Sequence, residues 1–229
     1  MKEIQSDVCW LEGRAVNLYL GMDPDGLTLI DTGMPGSEGM VLTAVSELGC
    51  QPADLKRIII THGDIDHAGS AAAIQAATGA AVLASAETAV YLQNGRSPEH
   101  MPWLIQVLAN TFFKFKTVPA AALQTFQAGE ILPVLGGLEV IATPGHTLDH
   151  HSLYRPSTGL LFTGDALSTR DGRLQSSPKR ITADKKAARQ SALRLLEMTP
   201  TVFACGHGTP LADPEGEYRT RLLTELGQN

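Results

Sequence analysis

The sequence has few cysteines and no long apolar run. Its three cysteines, Cys9, Cys50 and Cys205, are an odd number at unrelated spacings, which favours reduced thiols in a cytosol over a disulfide framework. No stretch of about 18 apolar residues occurs, and the N-terminal MKEIQSDVCW lacks the apolar centre of a signal peptide. We therefore expect a soluble, cytoplasmic protein with no membrane partner.

The chain also lacks a surplus of basic residues. Its 18 Lys and Arg residues are outnumbered by 24 Asp and Glu residues, which gives a net charge of −6. An acidic protein has no general basic surface for the phosphates of nucleic acids, so we expect no nucleic-acid binding. The net charge does not exclude a local basic patch. The 229 residues suit one large domain, predicted over 1–229.

The strongest chemical pattern is the segment RIIITHGDIDHAG. Its first part, Arg57–Thr61, is rich in β-branched residues and predicts a strand buried on both faces. His62, Asp64 and Asp66 follow at alternating positions with His67 directly after, so a loop leaving the strand could direct several donor atoms at one ion. Imidazole with carboxylate suits zinc, and each added carboxylate shifts the preference towards manganese or iron.

The rest of the chain alternates between strand patterns and helix patterns. Helical spacing is present at Val41–Leu48, Ser70–Thr78 and Ala183–Met198, and a strand pattern is present at Leu138–Ala142. This alternation predicts an α/β protein.

The segment after Thr61 resembles the HxHxDH metal-binding signature of the metallo-β-lactamase-fold hydrolases, with Asp64 in place of the second histidine. Four further segments occur in the family's order: LIDTG at Leu29–Gly33, TPGHTLDH at Thr143–His150, FTGDAL at Phe162–Leu167 and CGHG at Cys205–Gly208. The resemblance implies an α/β protein of the αββα sandwich type, in which two packed mixed β-sheets are flanked by helices.

Carried over position by position, the resemblance implies a dinuclear metal site with seven ligands. The first ion would be held by His62, Asp64 and His146, the second by Asp66, His67 and His207, and Asp165 would lie between them. Two such ions can share a water whose pKa is drawn towards neutrality, and the resulting hydroxide attacks an electrophilic carbon or phosphorus. Asp66 and Asp165 are the candidate catalytic residues. The expected cofactor is two divalent ions, zinc first, with iron or manganese as alternatives because of Asp64.

Several residues near the motifs have competing interpretations. Asp64 could fail to reach the ion and leave the first site weak or empty, because its side chain is short. The resemblance makes Asp31 a support of the metal loop, whereas its own sequence context favours a turn residue that bonds its own backbone. His150 and His151 are expected to be hydrogen-bonded strand residues rather than ligands. Cys205 is expected to pack rather than react.

A helical apolar insert is predicted at about 97–118, where the chain is rich in aromatic and branched residues. The resemblance makes Trp103, Phe112, Phe113 and Phe115 candidates for the wall of a substrate pocket. The competing interpretation, which an aromatic stripe more often has, is a core or an interface between two copies in a homodimer.

The function implied is hydrolysis of a small-molecule ester, thioester or lactone. An alternative of another class is a di-iron redox enzyme or a weakly hydrolytic metal-binding protein, because flavodiiron proteins of this superfamily carry a carboxylate at the position of Asp64. Phosphodiester cleavage is disfavoured by the acidic balance. A β-lactamase is disfavoured because Asp165 stands where some of those enzymes use a thiolate.

Overall fold

The computed structural model describes residues 1–100, 106 and 114–228. The chain divides into two compact units, one with residues 1–98, 106 and 114–127 and the other with residues 99, 100 and 128–228. Most of the predicted insert, including Trp103, Phe112 and Phe113, lies outside the described residues. The single domain over 1–229 stays a prediction.

The first unit is built on a mixed sheet whose seven strands lie in chain order. The strands are β1 Lys2–Gln5, β2 Val8–Glu12, β3 Asn17–Asp23, β4 Gly26–Ile30, β5 Leu55–Ile59, β6 Ala81–Ser85 and β7 Leu123–Phe126. Strands β1 to β4 form an antiparallel meander, whereas β4 to β7 run parallel. Because β4 and β5 run parallel, their carboxyl ends lie at the same edge of the sheet.

Helices supply these crossovers. They are α1 Glu38–Glu47, α2 Ile65–Ala68, α3 Ala71–Thr78 and α4 Ala86–Asn94, with short 3₁₀ turns at Pro52–Asp54 and Ala120–Ala122. Helix α3 is rich in alanine, the strongest helix former, and it ends at Gly79 with a φ of 75°. Leu29, Ile58 and Ile74 are fully buried in the core of this unit.

The second unit has a mixed sheet of six strands in the order β15-β14-β11-β10-β9-β8, and a separate β12–β13 ribbon. The strands are β8 Ile131–Leu132, β9 Leu138–Ala142, β10 His151–Arg155, β11 Leu160–Gly164, β12 Leu167–Arg170, β13 Arg173–Ser176, β14 Val202–Cys205 and β15 Leu211–Ala212. A 3₁₀ turn at Lys179–Ile181 precedes helix α5 at Lys185–Glu197, and α6 spans Glu217–Gly227.

The α/β class, with two mixed sheets and flanking helices, is confirmed. The loop after His62 is shorter than predicted, because Ile65–Ala68 forms one helical turn. Residues 114–118 form neither helix nor strand, so the predicted helix does not extend over them. Phe115 is buried in the core of the first unit, which agrees with the core interpretation, and its role in a pocket wall stays a prediction.

Within the described part of the chain, no helix is both long enough and apolar enough to span a membrane.

Candidate metal centre

The first unit carries four predicted ligands in one short segment beyond the carboxyl end of β5. His62 and His67 are completely buried, and Asp64 is 6% exposed. Asp66 is half-buried on α2, and one of its oxygens lies within 4.8 Å of a ring nitrogen of His67. This segment therefore brings two imidazoles and two carboxylates into a small, mostly dry volume.

Asp31, which follows the neighbouring strand β4, supports this segment. Its Oδ1 accepts a hydrogen bond of 2.9 Å from the N–H of Thr61, and its Oδ2 accepts one of 2.9 Å from the Thr61 hydroxyl. The same Oδ2 lies 2.8 Å from Nδ1 of His67, while Nδ1 of His62 lies 3.0 Å from the Thr61 oxygen. The Thr61 hydroxyl donates its proton to Asp31, so Nδ1 of His62 donates to the Thr61 oxygen. The carboxylate of Asp31 accepts only, so Nδ1 of His67 donates to it. Each histidine therefore keeps the lone pair of Nε2 for an ion.

The backbone of Asp31 is in an uncommon conformation. Its φ is 58°, in the left-handed region that aspartate and asparagine tolerate better than most residues. The partners of its carboxylate are Thr61 and His67. The structure therefore agrees with a support role, as the resemblance implies, rather than with a turn residue that bonds its own backbone.

Asp64 occupies the N-cap position of α2, yet its carboxylate makes no cap hydrogen bond. Its Oδ2 instead lies 3.4 Å from Nε2 of His62. A charge-assisted hydrogen bond is shorter, at about 2.7–2.9 Å. The observed distance matches the separation of about 3.3–3.6 Å between two ligands of a tetrahedral ion with bonds of about 2.0–2.2 Å. The pair therefore fits a metal ion.

The second unit presents three predicted ligands from three strand ends. His146 follows β9, Asp165 follows β11 and His207 follows β14. Nε2 of His146 lies 3.3 Å, and Nε2 of His207 lies 3.1 Å, from the same Oδ2 of Asp165. One carboxylate oxygen between two imidazoles is the arrangement that a bridging ligand requires. His146 and Asp165 are buried, whereas the side chain of His207 is 38% exposed.

Two glycines allow the close packing of these ligand loops. Gly145 has a φ of 143°, and a Cβ atom there would lie 2.2 Å from the backbone nitrogen of Ala188. Gly208 has a φ of 85°, and a Cβ atom there would lie 1.8 Å from the carbonyl oxygen of Thr169. A side chain at either position would displace the neighbouring histidine, which is a predicted ligand.

His150 holds the backbone of Asp165. Its Nε2 accepts a hydrogen bond of 2.8 Å from the N–H of Asp165, and its Nδ1 lies 2.7 Å from the Thr143 hydroxyl. Nδ1 of His151 lies 2.9 Å from the carbonyl oxygen of Asp149. Both histidines are therefore hydrogen-bonded residues, as predicted, but the sequence carries no signal for the hydrogen bond by which His150 holds Asp165, a predicted ligand.

Sequence reasoning also missed His100, which stands in no motif. Its ring centroid lies 5.0 Å from that of His146, within the second unit. A contact of this kind depends on chain packing rather than on spacing. His100 therefore adds an imidazole beside a predicted ligand.

Cys205 has the environment of a structural thiol. It is fully buried at the end of β14, and burial raises its pKa to about 12. At neutral pH it therefore stays protonated and is a poor nucleophile.

Comparisons with known proteins extend over most of the chain. The sequence profile of the metallo-beta-lactamase superfamily matches residues 11–207. The probable metallo-hydrolase YflN of Bacillus subtilis is 28% identical over 243 residues, which cover 98% of this chain and 91% of that protein. A hydroxyacylglutathione hydrolase of Albidiferax ferrireducens is 35% identical over 169 residues, which cover 70% of this chain and 54% of that protein.

A solved structure shows the same fold. A metallo-beta-lactamase family protein of Thermus thermophilus superposes with a TM-score of 0.76 at 22% identity, over 99% of this chain and 81% of that one. The predicted metallo-β-lactamase fold is thereby confirmed.

Proposed function

Because the chain belongs to the metallo-β-lactamase superfamily, we propose that it is a metal-dependent hydrolase of a small ester, thioester or lactone. Its relatives include a probable metallo-hydrolase and hydroxyacylglutathione hydrolases. The second name denotes hydrolysis of an acyl group from a thiol, which supports a thioester within this substrate class.

The observation that carries the proposal is the surroundings of Asp165. Its Oδ2 lies 3.3 Å from Nε2 of His146 and 3.1 Å from Nε2 of His207. Carboxylate oxygens and imidazole nitrogens both carry lone pairs, so such a group is stable only with protons or cations between its members. Imidazole and carboxylate donors together suit divalent zinc.

The ligand assignment follows the resemblance. The first ion is assigned to His62, Asp64 and His146, the second to Asp66, His67 and His207, and Asp165 to both. When bound, the two ions would supply a water of lowered pKa as the nucleophile and would polarise the substrate carbonyl.

The residues around these ligands fix their orientation. Asp31 orients the ring of His67 directly and that of His62 through the Thr61 hydroxyl, and His150 holds the backbone of Asp165. Metal ligands whose orientation is fixed in advance hold the ions in place, so the site needs no rearrangement when charge develops on the substrate oxygen. Supporting partners of this kind typically change metal affinity or activity by about 10–100-fold when they are removed.

One observation favours the second candidate, a di-iron redox protein. The Oδ2 of Asp64 lies 3.4 Å from Nε2 of His62, and a carboxylate in this place adds negative charge and favours harder metals. A redox protein of this kind would be purified with iron and would be coloured.

Metal analysis and a substrate panel test both candidates. We expect the purified protein to contain zinc and to hydrolyse at least one ester, thioester or lactone. A chelator should abolish this activity and added zinc should restore it. Bound iron, colour and no hydrolysis would support the redox candidate, whereas cleavage of phosphodiesters alone would contradict the proposed substrate class.

The insert provides a further part of the proposal. We propose that Trp103 and Phe113 favour substrates with an apolar acyl group. Contact between an aromatic side chain and such a group removes apolar area from water, which favours binding by roughly 25 cal/mol per Å². Trp103→Ala and Phe113→Ala should then lower kcat/KM more for a long acyl ester than for a short one. Equal losses together with dissociation of a homodimer, measured by light scattering, would make the insert an interface.

A further inference from the structure

We propose that the second unit contains a cationic trough that binds a carboxylate group of the substrate. The trough consists of two cavities lined by Lys179, Arg180, Lys185, Lys186 and Arg189. The inference rests on the proposed hydrolase function, because it names the kind of substrate that the hydrolase accepts.

The charge of the trough stands out in the sequence. The segment KRITADKKAAR, from Lys179 to Arg189, holds five of the 18 basic residues of a chain whose net charge is −6. Its only acidic residue is Asp184. A segment with five basic residues and one acidic residue offers a local site for an anion even in an acidic protein.

Two cavities adjoin along this segment. The first has a volume of about 590 Å³ and is lined in part by Lys179, Arg180 and Lys185. The second has a volume of about 770 Å³ and is lined in part by Lys179, Lys185, Lys186 and Arg189. Because Lys179 and Lys185 line both, the two cavities adjoin, and together they are called the trough. Each cavity is large enough for a small organic acid.

The trough begins beside predicted metal ligands of the same unit. The N–H of Ala183 donates a hydrogen bond of 3.0 Å to the carbonyl of His146, and the hydroxyl of Ser177 donates to the carbonyl of Asp165. His100, which lies next to His146, also lines the first cavity. The cationic segment is therefore held to the backbone of predicted ligands at two points, just before its start at Ser177 and in its middle at Ala183.

Folding stability does not explain these cations. Within the described residues, Lys179, Arg180, Lys185 and Lys186 take part in no ion pair. Lys185 and Lys186 are also the first two residues of helix α5, where the helix dipole makes a positive charge unfavourable. Residues that break a local rule in this way are expected at functional sites.

The acidic side chains of the trough only partly offset the cations. Asp184 and Glu99 line the first cavity, and Glu225 lines the second. The Oδ1 of Asp184 caps α5 by accepting from the N–H groups of the next helical residues at 2.9 and 3.0 Å. Glu225 Oε1 lies 3.3 Å from Nε of Arg221. Five cations thus face three carboxylates, two of which already have partners.

Apolar side chains also line the trough and indicate an apolar part in its ligand. Leu148, which is 69% exposed, lines the first cavity, and Leu222 and Leu226 line the second. Arg189 donates to the carbonyl of Leu226, which holds its guanidinium at the second cavity. Cations beside apolar walls fit a carboxylate on an aliphatic chain. The proposed substrate is an ester or thioester with such a carboxylate remote from the bond that is cleaved.

A binding measurement tests the trough without reference to catalysis. The probes are octanoate and octanamide, which have the same chain and differ in charge. The variant is Lys179→Gln with Lys185→Gln, and the matched control is Lys2→Gln with Lys56→Gln, two exposed lysines of the first unit that lie outside the insert. By calorimetry of the metal-loaded protein, we expect the variant to bind octanoate about five- to ten-fold more weakly. Octanamide binding and the control should not change.

A pair of substrates links the trough to hydrolysis. S-adipoyl and S-hexanoyl thioesters of N-acetylcysteamine have six acyl carbons each and differ by one carboxylate. We expect a higher kcat/KM for the adipoyl thioester, and we expect the lysine variant to lose this preference. Equal octanoate binding by the wild type and the variant would overturn the trough. Loss of octanoate binding without hydrolysis of any substrate would support the carboxylate site and contradict the proposed hydrolase function.

Discussion

The two units provide their predicted metal ligands in opposite ways. The first unit places four ligands within six consecutive residues, His62–His67, directly after a buried strand. The second unit takes single ligands from the ends of three strands, at His146, Asp165 and His207. A local group can be recognised from residue spacing alone, whereas a dispersed group becomes visible only through a fold or a family resemblance.

The supports of the two groups differ as well. In the first unit one carboxylate, that of Asp31, orients the rings of two histidines, one directly and one through Thr61. In the second unit His150 holds the backbone of Asp165 rather than its side chain. Loss of a support should therefore disturb the ligands of the first unit more than those of the second.

The largest effect is expected for the ligand at the centre of the second group. Asp165→Asn removes the negative charge from the oxygen that lies between His146 and His207. We expect kcat/KM for the best ester or thioester to fall by roughly 10³-fold or more, because metal-held charge contributes several kcal/mol to the transition state. Glu139→Gln, in β9 of the same unit, serves as the control. Activity within ten-fold of the wild type would mean that Asp165 does not bridge two ions.

A smaller effect is expected for the support in the first unit. Asp31→Asn keeps a residue that tolerates the φ of 58° but removes the acceptor charge beside His67. We expect the zinc affinity, measured by chelator competition, to fall by about 10–100-fold. His150→Gln should weaken binding less, because it acts on the backbone of a ligand. If the His150 variant showed the larger loss, the comparison between the two supports would be wrong.

The third effect concerns metal preference rather than activity. Asp64→His restores an imidazole next to His62 and removes one negative charge from the first group. We expect the preference for zinc over manganese or iron to rise by roughly ten-fold. Metal competition followed by elemental analysis checks this, with Glu47→Gln, an exposed residue of α1, as the control. Equal metal occupancy in both proteins would indicate that Asp64 does not ligate.

The smallest effect is expected at the cysteines. Burial raises the pKa of Cys205 to about 12, so at pH 8 about one molecule in ten thousand carries a thiolate there, and this fraction rises about ten-fold with each pH unit. Cys50 is half-buried in the first unit. Alkylation by iodoacetamide, mapped by mass spectrometry, should label Cys50 well before Cys205 in the folded protein. Similar rates would show that the end of β14 opens readily.

Residue patterns predicted the parts of the molecule that depend on local order. The strand at Leu138–Ala142 has the predicted bounds, because a short run rich in apolar and β-branched residues is bounded by Gly137 and by the turn at Pro144. Helix α2 was not predicted, since a single turn is too short to show helical periodicity. The sequence alone favoured a turn role for Asp31, because its partners Thr61 and His67 lie 30 and 36 residues away along the chain.

The cationic trough shows the same limit in another form. The cluster from Lys179 to Arg189 is visible in the sequence. Its relation to His146 and Asp165 depends on hydrogen bonds that only the folded chain forms.

The central claim is that both sets of predicted ligands are needed for metal binding, those within His62–His67 in the first unit and His146, Asp165 and His207 in the second. The most direct measurement is the metal content per chain of the wild type, His67→Ala and His207→Ala, each confirmed as folded by circular dichroism. We predict about two ions per chain in the wild type and fewer in both variants. A wild type that binds no divalent metal, or a variant in either unit that keeps the full metal content, would contradict the account.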